Sequence, residues 1–210
     1  MKLFLKIVAL SLLLLSGRGF AQKTKFGVSA GATYANIRGG YIDESQKGGF
    51  NFLAGLSLEL PINNKFSFLT NLNYERKSSN VEAMDFFYES SFFGQGRESE
   101  INLTSNYIAL PINVKYYIGN KNIFYVNGGL YSAFYIGGRS VSDLGTQRSK
   151  PDELTVDVGV NIGVGHVIKF KKTNLNIELR DNLGLKQISK FNSEANTNAV
   201  NLILNWEFSI

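Results

Sequence analysis

The 210-residue chain contains no cysteine, three prolines and a single histidine. Without cysteine there is no disulfide framework, no thiolate metal site, no cysteine nucleophile and no residue to carry a lipid at a processed N-terminus. Proline is outnumbered by 21 glycines, 16 phenylalanines and 10 tyrosines, a composition of strands and turns. No long window outside the N-terminus is dominated by helix formers. Carboxylates are spread about one per segment, without metal-ligand spacing. The glycine pairs of "GVGHV" and "NGGLY" lack the third glycine and following helix of a phosphate cradle. No cofactor or metal is expected.

Residues 1–21 read as a signal peptide: Lys2 and Lys6, an apolar run from Ile7 to Leu15, and Gly19 and Ala21 at the −3 and −1 positions of a cleavage site. The formal charge of +5 comes from 22 bases against 17 acids. Loss of Lys2, Lys6 and Arg18 leaves 19 bases against 17 acids, so the high pI is largely that of the leader. No clustered basic face supports nucleic-acid binding. The remainder, 22–210, reads as one domain.

That domain is written in period two. In "ELTVDVGVNIGVGHVIKF" (153–170) every even position but His166 is apolar, and among the odd positions only Val167 is. Alternation of this kind puts two different solvents on the two faces of one strand. The segment "AVNLILNWEFSI" repeats it, with Val200, Leu202, Leu204, Trp206, Phe208 and Ile210 on one face and Ile203 as the exception on the other. Further alternating segments lie at 25–36, around 50–60, at 66–75, 107–118 and 174–187, with an ambiguous one at 123–137. Asp181 interrupts the apolar row of 174–187 and suggests a bulge or strand end. Pro111, which lacks a ladder donor, suggests a bulge or kink in 107–118.

Eight segments alternate between short connections (61–64, 119–122, 171–173) and long ones (38–49, 78–100, 139–152, 188–198). Two unlike rims of this kind fit an all-β, eight-stranded, antiparallel up-and-down transmembrane barrel. The segments are long enough for tilted strands to cross hydrocarbon, which takes about 9–11 residues. Tyr34, Tyr74, Tyr116, Trp206 and Phe208 sit near the ends of apolar rows, as a headgroup-level girdle would place them. The polar face is rich in Asn, Gly and Ser, which suit a lumen only wide enough for side chains. Glu59, Glu75, Lys115, Asp157, Lys169, Glu178, Arg180, Lys186 and Glu207 are the candidates for a paired network there. The alternative is a soluble, exported, lipocalin-like barrel with the apolar face turned inward around a ligand.

Residues 80–100 combine Phe86, Phe87, Tyr88, Phe92 and Phe93 with five acids. They read either as an extracellular contact loop for an envelope partner or as strand extensions above the membrane. His166 falls in an apolar row near the short-turn rim, away from any Ser or Asp partner, so no enzyme is expected.

"KFGVSAGATYANI", "YIALPINVKYYIG" and the aromatic last strand together resemble the PorT-like small outer-membrane β-barrel proteins over 23–210. Tyr107–Ile108–Ala109–Leu110–Pro111 followed by Lys115–Tyr116–Tyr117 is the most specific part. The resemblance implies a bacterial outer-membrane location, contact with outer-membrane lipid, and, for some members, a place in secretion or gliding machinery. The terminal strand resembles the signal read by the outer-membrane assembly machinery.

Overall fold

In a computed structural model, residues 24–38, 46–84, 98–142, 145–150, 156–185 and 196–209 are described. The leader expected at 1–21, the rings Phe86, Phe87, Tyr88, Phe92 and Phe93, and Lys186 lie outside them. The described chain forms nine strands: β1 (Lys25–Arg38), β2 (Gln46–Pro61), β3 (Phe66–Met84), β4 (Glu98–Ile118), β5 (Phe124–Ser142), β6 (Gly145–Ser149), β7 (Val156–Lys169), β8 (Thr173–Gly184) and β9 (Asn196–Ser209).

Eight of them close into an antiparallel barrel. Neighbours pair in chain order, β5 pairs β7 directly, and β1 pairs β9 from Lys25↔Ser209 to Arg38↔Asn196. β6 stands outside this count. It is a short flap on the upper part of β5, from Gly138↔Ser149 to Ser142↔Gly145. The loops expected at 78–100 and 139–152 are therefore partly strand, since β3 runs on to Met84 and β5 to Ser142. Those stretches keep their ladder but lose the apolar alternation by which the strands were read.

The registers fix the barrel's geometry. A row of outward partners runs from Asn36 through Asn198, Leu183, Val160, Leu130, Ile112, Thr70 and Leu58 to Phe26. It returns to β1 ten residues below its start. That stagger over eight strands tilts each strand by about 40° and leaves a lumen that side chains fill.

Inside and outside follow parity rather than hydropathy. Ile112 is 43% exposed on the outer face, and Lys115 is fully buried inside. Leu53, Leu69, Val167 and Ile203, the apolar exceptions of the polar rows, are buried in the lumen with their row-mates. The ambiguous segment resolves the same way, with Tyr125, Asn127, Tyr131 and Ala133 inward and Phe124, Val126 and Leu130 outward. The outer belt ends in rings at both levels. Tyr34 meets Phe50 and Phe52 meets Tyr74 at one, and Phe66 meets Tyr116 and Phe170 stacks on Trp206 at the other.

Two expected irregularities take another form. The β3–β4 register runs through Pro111 unshifted, from Thr70↔Ile112 to Asn73↔Ala109, with only the pairs between them missing. The Thr70 hydroxyl donates to the Pro111 carbonyl at 3.0 Å, so a side chain takes up part of what the ladder loses. The bulge lies instead between Asn106 and Tyr107, where β5 carries the extra residue before Gly137 at φ 138°. β8 likewise passes Asp181 with no shift toward either neighbour. Asp181 stays on the outer face, between Ile162 and Val200.

Candidate functional site

The lumen is the chemically distinctive part of the molecule, and its charges form two groups. The lower group lies toward the short turns. Glu59, on β2, accepts from Lys115 of β4 at 2.8 Å, from Lys25 of β1 at 2.8 Å and from the Tyr117 hydroxyl at 2.7 Å. Glu207 of β9 lies 3.9 Å from both lysine amines and accepts from the Asn205 amide at 3.2 Å. The Lys115 amine also stands 4.0 Å from the centroid of the Tyr125 ring, a cation–π contact in a desolvated place. One step higher, Arg180 Nε donates to Glu178 Oε1 at 2.6 Å, and the Tyr125 hydroxyl donates to Glu178 Oε2 at 2.8 Å. Three bases therefore meet three acids, and each acid takes hydrogen bonds besides its ion pair. A buried charge needs both to be tolerated.

The upper group is smaller. The Lys77 amine lies 3.4 Å from Asp157 Oδ2, which also accepts from the Thr197 hydroxyl at 2.6 Å and the Tyr131 hydroxyl at 3.3 Å. The same amine sits between the Tyr107 and Tyr131 rings, at 5.0 and 5.8 Å from their centroids. Glu75 is buried on the same strand, two residues before Lys77, and its Oε1 has no hydrogen-bond partner.

Glycines make room for these rings. Gly165 lies opposite Tyr125, and a Cβ there would collide with the Tyr125 ring. The glycines of "GVGHV" are thus packing residues of a narrow barrel.

Of the candidates named for the lumen, Glu59, Glu75, Lys115, Asp157, Glu178, Arg180 and Glu207 are buried inside. Lys169 is not, although its parity points inward. It is exposed at the last rung of the β7–β8 ladder, at the barrel mouth, and donates to the Lys121 carbonyl at 2.6 Å. It borders a recess of about 230 Å³ at the short-turn mouth, shared with Lys25, Glu59, Ser67, Tyr117 and Asn122. Sequence reading missed Lys77 and Lys25. One more alternation beyond Glu75 would have placed Lys77 in the lumen row.

Among the described residues no three His, Cys, Asp or Glu side chains converge to hold a metal. His166 packs edge-on against Phe124 with centroids 4.8 Å apart, on the outer face.

A closed eight-stranded barrel with an apolar exterior and a charged interior is the inverse of a soluble protein, and known families agree. The family model of the outer membrane protein beta-barrel domain matches residues 20–190. This chain belongs to that family of outer-membrane β-barrels. It is an outer-membrane protein, so its outer belt meets lipid. The lipocalin-like alternative is overturned, because the apolar rows point out.

None of the curated proteins matches the chain. Among solved structures it is similar to Ail, the attachment invasion locus protein of Yersinia pestis, with 11% identity over 89% of this chain and 99% of that one and a TM-score of 0.47. It is also similar to Neisserial surface protein A, with 16% identity, coverage of 88% and 97%, and a TM-score of 0.46. A third is the outer membrane protease OmpT from Escherichia coli, with 10% identity, coverage of 93% and 99%, and a TM-score of 0.39.

Proposed function

We propose that this outer-membrane barrel is a non-enzymatic, PorT-like envelope protein, exported by its 1–21 leader and inserted through recognition of its aromatic last strand by the assembly machinery. Its role is structural or interaction-based, exercised through the long outward connections within an envelope or secretion complex. The observation that carries this reading is the filled lumen. Paired charges and tyrosines occupy both ends of the barrel interior, so binding has to happen at rims and loops. The rings Phe86, Phe87, Tyr88, Phe92 and Phe93 are the first candidates for the contact.

A tagged full-length protein, purified from detergent-solubilised envelopes, tests it. A stoichiometric envelope protein should co-purify, and replacing the five rings by serine should release it while the barrel still resists heating in detergent. Passage of small solutes through reconstituted vesicles, or purification with no partner and no loop-dependent loss, would count against the proposal.

A further inference from the structure

Above its aromatic level, the outward face of β3–β6 changes character. Tyr74 is the last ring of the β3 row, and its hydroxyl donates to Asn106 at 2.8 Å. One alternation further out stands Arg76, opposite Asn106 in the ladder. The next row crosses four strands on the same face, from Ser78 to Thr104, from Thr104 to Arg139 and from Arg139 to Arg148. Ser78 and Thr104 are joined through their hydroxyls at 3.3 Å.

The charges of this face are unusual in three ways. Arg139 and Arg148 are directly opposed and exposed, although like charges in that position repel. Arg76 Nε is buried without a hydrogen-bond partner. Among the described residues none of the three arginines forms an ion pair. Among the described residues, the next acids outward along β3 and β4 are Glu82 and Glu100, paired in the ladder four residues beyond Ser78 and Thr104. β6 does not help close the barrel. What it adds is Arg148 beside Arg139.

We propose that this face is a binding site for the phosphate groups of outer-leaflet lipid. The guanidinium fork matches a phosphate bidentately, and an anion between Arg139 and Arg148 turns their repulsion into a clamp. The Ser78–Thr104 pair leaves one hydroxyl donor at the centre of the row. Orientation selects the lipid over a soluble anion. The arginines point sideways from the wall, directly above the lipid-facing rings, where headgroups lie. A soluble polyanion would approach the loop tips instead.

The test uses the full-length protein in phosphatidylcholine nanodiscs, with native mass spectrometry as the readout. The probes are bisphosphorylated lipid A, its dephosphorylated counterpart and inorganic phosphate. The bisphosphorylated form should be retained about tenfold better than the dephosphorylated one. The triple variant R76Q/R139Q/R148Q should lose that preference, and lysine at the three positions should restore only part of it. If the triple variant fails to fold, Arg148→Gln on the flap outside the barrel should still lose roughly half of the preference on a logarithmic scale. Equal retention of the two lipids, an undiminished preference in folded variants, or displacement of the lipid by equimolar inorganic phosphate would each overturn the proposal.

Discussion

The two charged groups of the lumen are built from the same residue types and differ in balance. Below, Lys25, Lys115 and Arg180 face Glu59, Glu178 and Glu207, so the group is neutral as a unit. Above, among the described residues, one base, Lys77, faces two acids, Asp157 and Glu75. Burial tolerates charge in proportion to pairing and hydrogen bonding. The lower group is therefore a cross-brace joining β1, β2, β4 and β9. The upper group is a single cross-link with an additional acid beside it, nearer the outward mouth.

Removing bases and acids one at a time separates the two. The largest effect should come from Lys115→Met, which leaves Glu59 and Glu207 short of a counter-charge in a desolvated place. Unfolding by denaturant in detergent should show a loss of about 3–5 kcal/mol, and a loss under about 1 kcal/mol would mean that solvent reaches the group. Gly165→Val presses on the Tyr125 ring that anchors Glu178. It should destabilise by about 1–3 kcal/mol, and Tyr125→Leu in the same chain should relieve most of that strain. Asp181→Leu is the outward control. It removes a carboxylate from the lipid face and should stabilise the barrel in vesicles by about 1 kcal/mol. A drop in stability would show that Asp181 has a partner in the membrane. The smallest change should come from Glu75→Gln, which removes the second acid above. Stability should stay within about 0.5 kcal/mol of the parent or rise, whereas Glu59→Gln below should cost several times more. Equal losses for the two would dissolve the distinction between the groups.

The barrel was legible because parity is enforced by two solvents at once. Even where a single residue defied hydropathy, as Leu53, Leu69 and Ile203 did in the polar rows, the face of the strand decided its place. Legibility failed where that constraint ends. Beyond the aromatic level both faces are polar, so the continuation of β3 to Met84 and the flap β6 left no alternating trace. At the other rim Lys169 keeps an inward parity on the last rung of the β7–β8 ladder, where the mouth opens to solvent. Alternation named seven of the lumen's charged residues and missed Lys25 and Lys77. Which acid met which base depended on a ten-residue stagger that no single segment encodes.

The seam between β1 and β9 has a consequence in time. The strands it joins are the first and the last of the described chain, Lys25 meeting Ser209 and Arg38 meeting Asn196. Every other wall contact joins sequence neighbours or near neighbours and can form as soon as both strands exist. One edge of β1 must wait for residues 196–209, and until they arrive it offers an open ladder to any passing strand. The cross-brace at Glu59 waits with it, since Glu207 lies on the last strand. Closure is thus a late, long-range and cooperative event. Until it happens the chain has to be kept from pairing with its own kind.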